Sequence, residues 1–379
     1  MCLGIEFALI VLTILLQHGY FGATPIAASS DFPCFYAAGK LALAGTPALA
    51  YDPIAHQAAE AAFMPAGAPY LYFFYPPPYL LLCAALALLP YGAAFVTLQL
   101  ASAIGFILVL RAIARPRGWS WLVLVVAFPA TLWTVAMGQN AFLNAALLGG
   151  FTLLLGHRPI RAGALLGVLC IKPHLAILTP VALVAGRRWR AIAAAAGVAV
   201  ALSLASLAVF GPDTWRAFLG EMADANHAYT SGSIKFAEFI SVFAGARIAG
   251  FSTGTAAATQ ATATIAMLAL AALLFARRGP TASRNAALLA CTPLAAPVLM
   301  PSDQVLLLVA GAWLLRDARR DKLSVVEGAF LAAAYPLTML APPVSLMLPV
   351  PVNLVVQLVF AVICLRRAFF HGWRTPRDR

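Results

Sequence analysis

Apolar segments close to membrane-spanning length recur along the whole chain, parted by short arginine clusters or by turns rich in proline and glycine. A helix needs about 20 apolar residues to cross the hydrocarbon of a bilayer. The pattern predicts such helices near 3–21, 92–113, 119–137, 141–156, 191–210, 254–276, 285–300, 304–316, 323–340 and 348–366. Two further apolar pieces are too short to cross at ~1.5 Å per residue. One is 79–89, closed by Pro90; it reads as a re-entrant or interfacial half-helix. The other is the pair 162–171 and 173–186, broken at "KPH" and read as a hairpin that enters and returns. The opening "LGIEFALIVLTILLQHGYFG" lacks a basic n-region, so a retained first span is expected rather than a signal peptide. The expected fold class is therefore an all-α polytopic membrane protein, with residues 1–379 forming one transmembrane domain.

Charge gives the pattern a direction. Arg111, Arg115 and Arg117, then Arg158 and Arg161, then Arg187, Arg188 and Arg190 fall in alternate connections. So do Arg277, Arg278 and Arg284, the run Arg316, Arg319, Arg320 and Lys322, and the basic tail 366–379. The positive-inside rule makes these loops cytoplasmic. The outer side then receives 22–78, 211–253 and the turns "MGQN" and "MPSDQ", with most of the acids. Two segments of the first outer loop, "DFPCFYAAGKLALAG" and "YDPIAHQAAEAAFM", carry helix start signals and an apolar face. Both are expected to lie as amphipathic helices along the interface.

Composition narrows the function. The chain is 63% hydrophobic and 10% charged, with a mean hydropathy of +0.90, against about 25% charged residues in soluble domains. The net charge of +12 is dispersed in short loops without an aromatic-basic patch, so no nucleic-acid partner is expected. Six scattered cysteines form no CxxC pair and imply neither a disulfide framework nor a zinc site. No HExxH, GxSxG, P-loop or dinucleotide glycine motif occurs.

Four groups could carry chemistry. Asp31, in "SSDFPCFYAAGK", is either the N-cap of the helix that follows or a general base at the membrane surface. Lys172 lies in "GVLCIKPHLAILTP", bracketed by apolar helix on both sides, and only four lysines stand against 21 arginines. A cation at such a place either snorkels or binds an anion, and for a membrane enzyme that anion is a lipid phosphate. Gln139, Asn140 and Asn144 in "MGQNAFLNAALL" either cap the turn or bond sugar hydroxyls. Asp303, in "APVLMPSDQVLLL", either caps the next helix or joins the site. His56 and His227 are weaker candidates.

The order of "SSDFPCFYAAGKLALAG…AYDP", "FFYPPPYLLLCAALALLPY", "GQNAFLNAALL", "AGALLGVLCIKPHLAILTPVALVAGRRWRA" and "PSDQVLLLVAGAWLLR" resembles glycosyltransferase family 87, from about residue 29 to 316. The resemblance implies a GT-C fold with an outward-facing site and an inverting transfer of a hexose, mannose foremost, from a polyprenyl-phosphate donor. It implies Asp31 as catalytic base and a "KP" motif at Lys172 and Pro173, with Lys172 and His174 as donor-phosphate contacts. Substrate contacts are expected from Tyr36, Asp52, Tyr75, Gln139, Asn140, Asn144, His227 and Asp303. No metal or other cofactor is expected, and the partners are membrane lipids, the lipid-linked donor and a glycolipid or glycan acceptor. The expected location is a bacterial inner membrane with the site facing the periplasm. The competing class is a flippase or transporter of lipid-linked sugars, which would favour inverted repeats and paired broken helices; "KPH" has no repeat partner.

Overall fold

The computed structural model describes residues 30–64, 67–232, 235–277 and 279–371. The expected first span, Cys2 and the end of the basic tail lie outside the described residues. Every regular element among the described residues is helical.

The segment before Pro90 folds from three short helices, α1 (Phe32–Leu43), α2 (Pro53–Glu60) and α3 (Pro77–Ala87). Prolines stand in the first turn of each, where the missing N–H costs nothing. Asp52 caps α2 by accepting from the Ala55 amide at 2.8 Å. The helix exposes Ile54 and buries His56 and Glu60. The first two turns of α1 are instead buried all round, from Phe32 through Gly39. The reason is close packing on α3: a Cβ at Gly39 would stand 2.2 Å from the Cys83 carbonyl oxygen. Aromatic side chains seal the other flank, with Phe35 edge-on to both Tyr75 and Tyr79.

Helix α3 has 11 residues, roughly 16 Å at 1.5 Å each, too short to cross the hydrocarbon of a bilayer by itself. Leu89, just past its end, accepts from the Tyr36 hydroxyl at 2.8 Å, and Tyr91 starts α4 (Tyr91–Ala114) against Phe32 and Tyr36. The end of α3 and the start of α4 thus lie against the first turns of α1. The 24 residues of α4 extend roughly 36 Å at 1.5 Å each, enough to span. Leu100, Ile104 and Leu108 form an exposed apolar stripe along it.

The expected span 119–137 is two pieces, α5 (Trp121–Val126) and α6 (Pro129–Ala136). Pro129 excludes its predecessor from the helical region, and Phe128 is extended at φ −69°, ψ 126°. After α7 (Ala141–Leu154) the "KPH" hairpin comprises α8 (Pro159–Val168), two 3-10 turns about Lys172, and α9 (Thr179–Ala185). Glycines let α8 lie directly on α10 (Trp189–Ser231). A Cβ at Gly163 would meet the Ala191 carbonyl oxygen at 2.2 Å, and one at Gly167 would meet that of Ala195 at 2.5 Å. This is the small-residue packing that membrane helices use to approach closely.

Helix α10 kinks at Gly211 (φ 78°, ψ 169°) before Pro212 and then continues to Ser231. Much of the expected outer loop 211–253 is therefore helix. The remaining elements are α11 (Val242–Ile248), α12 (Thr253–Ala276), α13 (Thr281–Ala295), α14 (Val305–Asp317), α15 (Val325–Met347) and α16 (Val352–Arg366). Among the described residues four helices are long and apolar enough to cross a membrane: Tyr91–Ala114, Trp189–Met222, Thr253–Ala276 and Val352–Phe370. The expected spans 141–156, 285–300 and 304–316 correspond to α7, α13 and α14, which pack with one another and are enclosed by their neighbours, and 323–340 corresponds to the 23-residue α15.

The arginine loops converge on one end of this bundle. Arg319 bonds the carbonyls of Ala114 and Arg115, and Arg367 bonds the carbonyls of Asp321 and Lys322 and the Glu327 carboxylate. Arg277 and Arg284 stack on Phe369 and Phe275. The candidate residues lie at the opposite ends of the same helices: α7 starts at Asn140, α14 follows Asp303, and the hairpin turns at Lys172.

Candidate active site

Asp31 stands at the N-cap position of α1, yet its side chain makes no capping hydrogen bond. The capping alternative is thereby set aside on geometry. The carboxylate accepts instead from Nε2 of Gln139, 108 residues away in the chain. A backbone bond from the Asp31 amide to the Met137 carbonyl, 2.7 Å, docks the start of α1 on the turn before α7. That turn needs Gly138, which adopts φ +63° and would place a Cβ 2.5 Å from that of Phe32.

A second charged centre forms where the hairpin tip meets the late turn. Lys172 has φ −145° and ψ 68°, which ends the helical run and turns its side chain inward. Its Nζ donates to both Asp303 oxygens, at 2.7 and 2.9 Å. Asp303 also accepts from the Met300 amide at 3.1 Å. The residue thus both caps its own turn and pairs with Lys172.

Two links join these centres. Thr134 accepts the Gln139 backbone amide through its carbonyl at 2.9 Å, and its hydroxyl, which donates to the Ala130 carbonyl at 2.7 Å, also lies 3.3 Å from the Ser302 carbonyl. Tyr75 donates to Oε1 of Gln139 at 3.4 Å. Burial, then the nearby carboxylates Asp303 and Asp31, push the Tyr75 hydroxyl well above its usual range. Asn144 donates to Asn140 at 2.8 Å, one turn apart and both buried. His174 is on the hairpin tip, and its Nε2 has no hydrogen-bond partner.

The remaining expected contacts fall elsewhere. The Tyr36 hydroxyl is taken by the Leu89 carbonyl, and the Asp52 carboxylate is taken by capping. His227 lies on α10, and its side chain is outside the described residues. Two contributors were not anticipated. Gln99, on α4, donates to the Gln139 carbonyl at 3.1 Å; a lone amide in the apolar run "FVTLQLASAIG" was the available signal. Glu60 accepts from the Leu71 amide at 3.1 Å, and burial pushes its carboxyl up to about 7. Its neighbour one turn earlier, His56, bonds the Cys34 carbonyl at 3.1 Å and is pushed down to about 4, again by burial.

The sequence profile of glycosyltransferase family 87 matches residues 73–301. The chain belongs to glycosyltransferase family 87. It is accordingly a helical membrane glycosyltransferase. The family match contains Tyr75, Gln99, Gln139, Asn140, Asn144 and Lys172; Asp31 precedes it and Asp303 follows its end by two residues. Comparison with curated proteins and with solved structures gave no match.

Proposed function

We propose that this family 87 member is an inverting hexosyltransferase. It moves a sugar, mannose in this reading, from a polyprenyl-phosphate donor to an acceptor hydroxyl of a lipid or glycan. The observation that carries the reading is the Asp31 carboxylate, oriented by the Gln139 amide rather than spent on capping. Asp31 takes the proton of the acceptor hydroxyl as that oxygen bonds to the anomeric carbon from the face opposite the phosphate. The carbon–oxygen bond to phosphate breaks, polyprenyl phosphate leaves with the electron pair, and the configuration inverts. An ammonium has three N–H groups. Asp303 takes two of those on Lys172, and a phosphate oxygen takes the third, where charge grows in the transition state. The scheme uses no metal ion.

The gathering of arginine loops at the far end supports an orientation with the site on the outer face of a bacterial inner membrane. Gln99 lies eight residues into α4, roughly 12 Å below its outer start.

The test is release of polyprenyl phosphate from a panel of polyprenyl-phosphate sugars by the purified protein and by Asp31→Asn. General-base catalysis is worth about 10²–10⁴-fold, so the variant should fall by that factor with unchanged thermal stability. Transfer at the parental rate by Asp31→Asn would remove the base role.

A further inference from the structure

The hydrogen bonds behind Asp31 have a direction. A glutamine amide presents an acceptor on one side and donors on the other, and turning it over exchanges them. The Tyr75 hydroxyl donates to Oε1, which leaves the Nε2 donors aimed at Asp31. Gln99 fixes the same residue from behind through its main-chain carbonyl. Gln139 and Gln99 are 4% and 5% exposed, so their amides face protein, not an entering sugar.

We propose that Gln139 is a positioning residue for Asp31, held by Tyr75 and Gln99, and not a sugar contact. The inference rests on the reading of Asp31 as base. The carboxylate, which can only accept, selects the amide orientation that turns Nε2 toward it, and the tyrosine hydroxyl donates to the Oε1 on the other side. A donor on a carboxylate favours the ionised form. The chain Tyr75–Gln139–Asp31 therefore keeps the base ionised and pointed while its neighbours stay dry. Gln139 in turn connects Asp31 to the turn of Asp303 through Thr134, so that base and leaving-group centre share one scaffold.

The test is the pH profile of sugar transfer, with kcat separated from KM for the donor, in Gln139→Leu, Gln139→Glu and Tyr75→Phe. Losing a hydrogen bond to a charged group in Gln139→Leu should lower kcat by roughly 10–100-fold and move its acidic limb up by about 1–2 pH units. Gln139→Glu keeps the shape, guarding against loss of fold in the leucine variant, and sets a second carboxylate beside Asp31. Its acidic limb should also move up, because two such carboxylates resist ionising together. Tyr75→Phe retains the ring contacts and should lower kcat by about 2–10-fold. In all three, KM should hold. A raised KM with an unmoved acidic limb would make Gln139 a sugar contact and overturn the proposal, as would parental profiles throughout. Parental activity in Asp31→Asn would instead strike the base reading itself, so the two failures are distinguishable.

Discussion

Lys172 and Asp303, 131 residues apart in the chain, meet with 6% and 1% of their side chains exposed and both carboxylate oxygens within 2.9 Å of Nζ. Such a pair is weak evidence for stability, because each charge has been taken out of water. Removing one partner strands the other. Lys172→Met should therefore lose about 3–5 kcal/mol, read as a large fall in detergent melting temperature, and inactivity in that variant alone would say nothing about phosphate. Lys172→Met with Asp303→Leu removes both charges and should recover most of the loss. Restored folding without transfer would place the pair in the transfer machinery; restored folding with near-parental transfer would reduce it to structure.

Glu60 and His56 pull stability in opposite directions with pH. Glu60 has its folded value raised from 4.5 to about 7, so the stability it confers is complete below 4.5 and lost as pH rises through 7. His56 has its folded value lowered from 6.5 to about 4, so its contribution is complete above 6.5 and lost as pH falls through 4. The wild type should show a shallow profile in the overlap, between about 4.5 and 6.5. Glu60→Gln should melt at rising temperature as pH climbs through that window, and His56→Gln at falling temperature. Parallel profiles for the two variants would show that neither group is coupled to folding.

Helices α8 and α10 are predicted to tolerate nothing larger than glycine at two positions. With a Cβ at Gly163 placed 2.2 Å from a backbone oxygen, relief must come from moving a helix, not a side chain. Gly163→Ala should cost about 1–3 kcal/mol as an overpacking change, although alanine favours an isolated helix by up to ~1 kcal/mol. Gly197, exposed to open space on α10, is the control, and Gly197→Ala should not destabilise. Equal melting of the two variants would reject the close contact.

Much of this was legible in the sequence because single residues broke a strong pattern. Lys172 and Asp303 each stood out as charges beside apolar runs, and Asp31 as an acid next to a first span. What linear pattern could not give was pairing, since Lys172 meets Asp303 only where the hairpin turn packs beside α13 and the turn that follows it. The span at 119–137 was misjudged because hydropathy integrates across Pro129, which the backbone cannot. The helices α7, α13 and α14 stood out for a similar reason: apolarity reports burial, whether in lipid or in protein, and so did not show that they pack at the centre of the bundle. Gln99 was missed because one amide hardly lowers the hydropathy of a 24-residue helix.

The sidedness of the membrane domain can be read with thiols, provided they are exposed. Cys34, on α1, is buried, its Sγ 3.6 Å from the Tyr72 carbonyl, so its silence toward a reagent would carry no information. Ala62, beyond α2, is exposed on the side of the candidate site, while Ser120 and His157 are exposed beside the arginine loops. Half-buried Cys170 is best replaced by alanine to lower the background. In intact cells a membrane-impermeant maleimide should label Ala62→Cys but reach Ser120→Cys and His157→Cys only after lysis. The reverse pattern would put the arginines outside and the Asp31 cluster toward the cytoplasm, and with it a donor presented from the inner leaflet. Labelling of all three in intact cells would break the single-face grouping of the arginine loops itself.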